Sequence, residues 1–156
     1  LRGLHPKSPY ADHAYLALAR FAVDTRDLDE AGKRLRTVAE SSRDPELRLI
    51  AQSRLARVLS EQGKHDDALK LLDVATAGSF TPVFHEIRGD VLAAKGDVAG
   101  ARQAYDAALA ATATVQAQAF DREYVELKRD ALPATVAAAA AAAAPSADAP
   151  VAGAKP

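Results

Sequence analysis

Three stretches of this 156-residue chain repeat the same pattern of small and apolar side chains, and this repetition limits the fold more than any other feature. The stretches span residues 15–38, 52–75 and 85–108. An alanine takes the same place in each, at Ala31, Ala68 and Ala101. A larger apolar residue follows four positions later, at Leu35, Leu72 and Tyr105. The alanines lie 37 and 33 residues apart. This spacing brackets the period of about 34 residues of stacked helical hairpins.

Signals for helix starts and stops agree with this reading. A capping residue followed by proline predicts three helix starts, at Ser8-Pro9, Asp44-Pro45 and Thr81-Pro82. Gly63 and Gly96 stand where helices are expected to end in a left-handed turn. Between these signals the apolar residues follow a 3.6-residue period, as in amphipathic helices.

The sequence therefore predicts an all-α fold, a tetratricopeptide-type α-solenoid of three helical hairpins with a C-terminal capping helix over about residues 115–132. Within each hairpin, small residues such as Ala19, Ala56 and Gly89 let paired helices approach closely. The capping helix is expected to bury one stripe, made of Phe120, Tyr124, Leu127 and Ala131.

The ends of the chain differ from this folded region. Residues 1–7 are interpreted as the stub of a longer chain, and residues 8–132 as the repeat domain. Residues 133–156 are almost only Ala, Pro, Ser, Thr and Val. We expect this tail to be disordered, because it has no large side chain whose burial could offset the entropy lost on ordering.

Composition excludes several classes of protein. There is no cysteine, so disulfides, zinc–thiolate sites and thiol nucleophiles are excluded. The net charge of −1 gives no electrostatic footprint for nucleic acid. No apolar run reaches the roughly 18 residues of a membrane span.

No pattern of titratable residues predicts catalysis, a metal site or a cofactor. The four histidines form no His-x-x-x-His pair; they are His5, His13, His65 and His85. The neighbouring Asp66 and Asp67 do not face one another on a helix, so they are not expected to act as an acid–base pair. We interpret them as negative charges at a helix start, where they interact favourably with the positive end of the helix dipole. We expect a protein that is not an enzyme.

The inner wall of the solenoid is the candidate binding site. Such solenoids form this wall from the first helix of each hairpin. Its register predicts a groove for partner proteins lined by His13, Leu16, Arg20, Asp24, Ser53, Arg57, Glu61, Glu86, Asp90 and Ala94. Three of these take equivalent places in successive repeats: Arg20, Arg57 and Asp90. A groove with cations at one end and carboxylates at the other could orient a peptide. The alternative is that these are ordinary solvated charges.

Five segments of the chain resemble one family. YADHAYLALA at 10–19, followed by DLDEAGKRL at 27–35, resembles the first repeat of YfgM-like proteins, the ancillary subunits of the bacterial Sec translocon. RLARV at 54–58 is similar to their second repeat, and EIRGDVL at 86–92 to their third. YVELKRDAL at 124–132 is similar to their closing helix.

The resemblance implies a periplasmic repeat domain of an inner-membrane protein, which assists the Sec translocon and links it to periplasmic chaperones or folding factors. It implies protein partners, namely translocon subunits and chaperones, and contact with the membrane only through an N-terminal anchor that is missing from this sequence. The alternative is a generic tetratricopeptide scaffold of another envelope or cytoplasmic complex.

Overall fold

The computed structural model describes residues 9–112 and 120–133. In these two ranges the chain forms seven α-helices and one 3₁₀ turn and has no β-strand. The helices are α1 (Pro9–Asp24), α2 (Leu28–Ser41), α3 (Pro45–Glu61), α4 (His65–Leu71), α5 (Thr81–Lys95), α6 (Val98–Ala111) and α7 (Arg122–Asp130), and the 3₁₀ turn (Gly78–Phe80) precedes α5. Successive helices pair as α1–α2, α3–α4 and α5–α6, and α7 packs on α6. The predicted all-α solenoid of three hairpins is confirmed.

Aspartate side chains cap four helix starts. Asp27, Asp44, Asp97 and Asp121 each accept a hydrogen bond from a backbone N–H in the first turn of the following helix. The prediction that Thr81 caps α5 is wrong by one residue: Phe80 takes the cap position and Thr81 is the first helical residue. The reason is the 3₁₀ turn, to which Thr81 is tied because its hydroxyl donates to the Gly78 carbonyl at 2.8 Å.

The three hairpin turns have the same backbone geometry. Arg26, Gly63 and Gly96 adopt left-handed conformations, with φ of 63°, 75° and 87°. In each turn the next residue donates its N–H five residues back, and these bonds run from Asp27 to Ala22, from Lys64 to Leu59 and from Asp97 to Leu92 at 2.8–2.9 Å. A left-handed residue followed by this hydrogen bond is a common way for a helix to end. The repeat is therefore present in the backbone as well as in the sequence.

The repeat alanines occupy matching places. Ala31, Ala68 and Ala101 are each fully buried, and each donates its N–H to the residue that precedes its helix. The larger residues one turn later are also buried: Leu35, Leu72 and Tyr105. Because an alanine side chain is short, it allows the paired helix to approach, and the larger residue fills the space beside it. These contacts form one apolar core over the first two and a half hairpins, continued by a smaller cluster at α6 and α7.

The second hairpin departs from the repeat. The helix α4 ends at Leu71 after seven residues, so Ala75 lies in an exposed loop and not at the buried place of Val38 and Ala108. In this loop the Asp73 carboxylate accepts a hydrogen bond from the Ala75 N–H at 3.0 Å. Such an aspartate turn competes with helix continuation. The apolar period alone did not reveal this early end.

The capping helix α7 presents a different face from the predicted one. Tyr124 and Leu127 are 51% and 65% exposed, whereas Val125 is fully buried. Val125 and Lys128 lie one turn apart and turn toward the third hairpin, and Lys128 binds acidic groups there. The predicted stripe is therefore wrong for Tyr124 and Leu127 and also for Ala131, which is exposed, while Phe120 is half-buried. The rotation of α7 instead buries Val125 and brings Lys128 against Glu86 and Asp90. Residues 115–119 of the predicted capping segment lie outside the described residues.

Two further predictions fall mainly outside the described residues. They are the stub at 1–7 and the tail, of which only Pro133 is described. Among the helices that the structure describes, none is both long enough and apolar enough to cross a membrane.

A buried polar contact fastens α1 to the loop between α2 and α3. The Ser42 hydroxyl donates to the Asp12 carboxylate at 2.7 Å, and both residues are buried. Ser42→Ala should lower the free energy of unfolding by about 2 kcal/mol, since it removes a hydrogen-bond donor from a buried carboxylate. Urea unfolding at neutral pH measures this. The neighbouring Ser41→Ala is the control, because Ser41 is exposed and its hydroxyl bonds only within its own helix. Equal effects at the two serines would contradict the assignment.

Candidate partner-binding groove

A cavity lies between α1 and α3, the first helices of the first two hairpins. Its volume is about 320 Å³. The wall is apolar and comes from α1, α2 and α3: Ala19, Val23, Leu28, Leu35 and Val58. The rim carries the charged residues Arg20, Arg54, Arg57 and Glu61. The register predicted that Arg20 and Arg57 would stack in successive repeats, and both line this cavity.

The charges on this rim are poorly balanced. Glu61 is its one acidic residue, and its carboxylate lies 3.9 Å from Arg26. Arg57 lies 3.9 Å from Glu86. Both separations exceed hydrogen-bond length, so these pairs are weak contacts. Arg20 and Arg54 are exposed and form no ion pair with any residue that the structure describes. The cavity therefore combines an apolar interior with a positive rim.

The end of the groove at the third hairpin is closed by α7. The Lys128 ammonium lies 2.8 Å from the Glu86 carboxylate and 2.9 Å from that of Asp90. The Tyr105 hydroxyl donates to Asp90 at 2.8 Å. Glu86 is buried and Asp90 is half-buried. These two predicted groove carboxylates are thus bound by side chains of the protein itself.

This cluster shifts two pKa values in the same direction. Burial, followed by the hydrogen bond to Asp90, raises the pKa of Tyr105 well above its ordinary value. Burial by itself would lower the pKa of Lys128, but its hydrogen bonds to Glu86 and Asp90 outweigh this effect and raise it. Both groups therefore keep their protons at neutral pH, and Lys128 stays charged.

The other predicted groove residues do not line the cavity. His13, Asp24 and Ala94 are exposed, on α1 and α5. Leu16 and Ser53 are buried, and the Ser53 hydroxyl donates to the Ile50 carbonyl at 2.8 Å. A register taken from one helix does not say how deep each position lies, because the helices cross at an angle.

Sequence reasoning missed two components of this surface. Arg54 belongs to the cavity rim, and its place one turn before Arg57 was the available signal. Lys128 closes the groove at the third hairpin, and no local pattern connects it with Glu86, which lies 42 residues earlier.

The histidines that the structure describes are spread over three elements. His13 is exposed, and His65 makes a 3.3 Å hydrogen bond with the Ser60 hydroxyl. Burial, and then the positive charge of Arg88, lowers the pKa of His85. Within residues 9–112 and 120–133 no group of three or more histidine or acidic side chains could hold a metal ion.

A second hollow lies on the other side of the first hairpin, beside α2. It is lined chiefly by polar side chains of both signs, including Asp29, Lys33, Arg36 and Glu40. Three cations and two carboxylates line it, so its charges are more evenly mixed than the three arginines and one glutamate of the α1–α3 cavity. Arg36 is therefore a suitable reference position for the arginines of the rim.

Comparison with known proteins gives consistent results. The family model for a tetratricopeptide repeat-like domain matches residues 1–134. An "Ancillary SecYEG translocon subunit" of Escherichia coli K12 is 33% identical over 108 residues, covering 69% of this chain and 52% of the relative. Proteins of the same name in Neisseria gonorrhoeae and Haemophilus influenzae are 32% and 31% identical, covering 85% and 65% of this chain and 62% and 50% of the relatives. The chain spans about half the length of the curated relatives it matches. No solved structure shows a significant match.

Proposed function

Because this chain belongs to the tetratricopeptide repeat-like domain family, we propose that it is a non-enzymatic module that binds partner proteins in its inner groove beside the Sec translocon. Three relatives at 31–33% identity carry the name of an ancillary SecYEG translocon subunit, which supports the translocon as the place of action.

The cavity between α1 and α3 carries this proposal. It lies where the first helices of two hairpins stand side by side, and it joins an apolar wall to a charged rim. Apolar cores with polar rims are the ordinary composition of protein-binding surfaces.

The finer part of the proposal concerns place and partners. The domain lies on the periplasmic side of the inner membrane, held there by an anchor outside this sequence, and links the translocon to periplasmic chaperones. Tethering a binding module raises the local concentration of its partner without any new contact. A folding factor held in this groove would meet chains as they emerge.

Site-specific photo-crosslinking in the bacterial envelope tests the proposal. The complete encoded protein carries a photo-reactive residue in place of His13 or Asp24, which are exposed on α1 two turns before and one turn after Arg20. These positions leave the rim arginines intact. The control is the same residue in place of Arg36, beside the outer hollow.

We expect adducts with SecYEG subunits or a periplasmic chaperone from His13 and Asp24, and none of these from Arg36. Adducts with neither kind of protein, or equal adducts from all three positions, would contradict the proposal. Adducts only with members of another envelope or cytoplasmic complex would instead support a generic tetratricopeptide scaffold.

A further inference from the structure

The arginines of the α1–α3 cavity carry more positive charge than nearby residues balance. Three arginines share the rim with Glu61, which also faces Arg26. The chain as a whole has a net charge of −1, so this excess is local. Arg57 has a weak contact with Glu86 at 3.9 Å, whereas Arg20 and Arg54 form no ion pair with any described residue. Exposed arginines of this kind favour carboxylates from outside, because a guanidinium matches a carboxylate in shape and charge.

The interior of the same cavity suits an apolar side chain. Ala19, Leu35 and Val58 are buried residues that face it, and its volume of about 320 Å³ leaves room for one large residue. A cavity of this kind gains from an apolar group that displaces water. The two features lie within one opening, so a single short segment could use both.

The other end of the groove favours an acidic over a basic ligand. Glu86 and Asp90 would attract a basic segment if they were free, but Lys128 and Tyr105 already bind them. Lys128 holds both carboxylates inside the molecule, so the exposed charges of the cavity rim without an ion-pair partner among the described residues are those of Arg20 and Arg54.

We propose that the cavity between α1 and α3 binds a segment of a partner protein in which one large apolar residue is flanked by aspartate or glutamate. This inference rests on the proposed function, and it specifies the chemistry of the segment that the groove takes. The apolar residue enters between Val23 and Val58, and the flanking carboxylates bind Arg20 and Arg54.

The test uses the 156-residue chain and three synthetic 12-residue peptides, followed by backbone amide NMR titration. The first peptide has a central leucine flanked by glutamates in a Gly/Ser background. The second replaces leucine by alanine, and the third replaces each glutamate by glutamine. Only the first peptide offers both an apolar side chain for the cavity interior and carboxylates for the arginines of the rim.

We expect the first peptide to shift amide signals of α1 and α3, more weakly as salt rises. The alanine and glutamine peptides should each bind at least about tenfold more weakly, because each loses one of the two kinds of contact. Arg20→Glu with Arg54→Glu should weaken binding of the first peptide at least about tenfold, and Arg36→Glu should leave it unchanged. Thermal unfolding of each variant checks that the fold is kept.

Three results would overturn the inference: equal binding of all three peptides, equal loss from the Arg36 variant, or no shift at millimolar peptide. The peptide comparison alone decides the matter if the double variant does not fold. This test is separate from the crosslinking test. Translocon adducts without peptide binding would refute only the ligand chemistry, and peptide binding without translocon or chaperone adducts would refute only the proposed function.

Discussion

Gly89→Ala should lower the free energy of unfolding by about 1–3 kcal/mol. A Cβ on Gly89 would lie 2.5 Å from Cδ1 and 2.9 Å from Cζ of Tyr105, distances that real Cβ atoms essentially never show. Overpacking of this kind costs about 1–3 kcal/mol. Moving the ring also breaks its 2.8 Å hydrogen bond to Asp90, which costs about 1 kcal/mol more. The better helix propensity of alanine offsets about 1 kcal/mol of this destabilisation.

Urea unfolding followed by circular dichroism measures this change, and Gly32→Ala provides the matched control. Gly32 also lies inside a helix, but its added Cβ would meet Leu55 and Val58 at 3.9 Å, an ordinary contact distance. We therefore expect Gly32→Ala to leave stability unchanged or to raise it by up to about 1 kcal/mol.

A double variant identifies the physical cause. If the Tyr105 ring is the obstacle, Gly89→Ala should cost less in a Tyr105→Leu background than in the natural protein, with a coupling energy of about 1 kcal/mol or more. Equal costs in the two backgrounds would mean that α5 and α6 do not approach as closely as the structure shows.

The close crossing of α5 and α6 was predictable because the two residues that meet there, Gly89 and Tyr105, both follow the repeat pattern. Gly89 takes the place of Ala19 and Ala56, and Tyr105 that of Leu35 and Leu72. What the repeat did not reveal is that the largest side chain in the series faces the one residue without a Cβ. The architecture follows from residue size at fixed intervals, so it can be predicted from sequence.

The candidate site was predictable only in part. Arg20 and Arg57 converge on one cavity because they take equivalent places in stacked repeats. The binding of Glu86 and Asp90 by Lys128 was not predictable from the sequence, because Lys128 belongs to a helix outside the repeat. In its observed position this helix buries Val125 and forms a long-range ion pair. Local periodicity carries no information about contacts of this range.

Removing the charge of Lys128 tests whether this ion pair fixes α7. Lys128→Met keeps a long stem of similar volume but leaves Glu86 and Asp90 without their ammonium partner. Breaking a buried pair costs about 3–5 kcal/mol. We expect a smaller loss, about 2 kcal/mol, because Asp90 remains partly in contact with water and with Tyr105.

The surface variant Lys95→Met is the control for this experiment. Lys95 also binds a carboxylate closely, at 2.6 Å from Asp66, but both side chains are exposed. Exposed pairs contribute little, so no measurable change in stability is expected. Glu86→Gln combined with Lys128→Met should recover part of the loss, because it removes the carboxylate that was left without a partner.

The pH dependence of the Lys128 contribution follows from the direction of its pKa shift. Its folded pKa is raised above the ordinary value of 10.5, so the stabilisation is complete below that pH and is lost as pH rises through the folded pKa. The difference in stability between the natural protein and Lys128→Met should therefore be constant from pH 6 to 9 and shrink above about pH 10.5.

The Lys128→Met variant also tests whether α7 can detach from the end of the groove. If Lys128 fixes the rotation of α7, amide exchange in Arg122–Asp130 should become faster in Lys128→Met while exchange in α1 and α3 stays unchanged. A uniform increase across the chain would show instead that α7 unfolds only with the whole domain. Faster exchange confined to α7 would mean that this helix can leave the third hairpin and expose Glu86 and Asp90, giving the groove the acidic end that it lacks while α7 is bound.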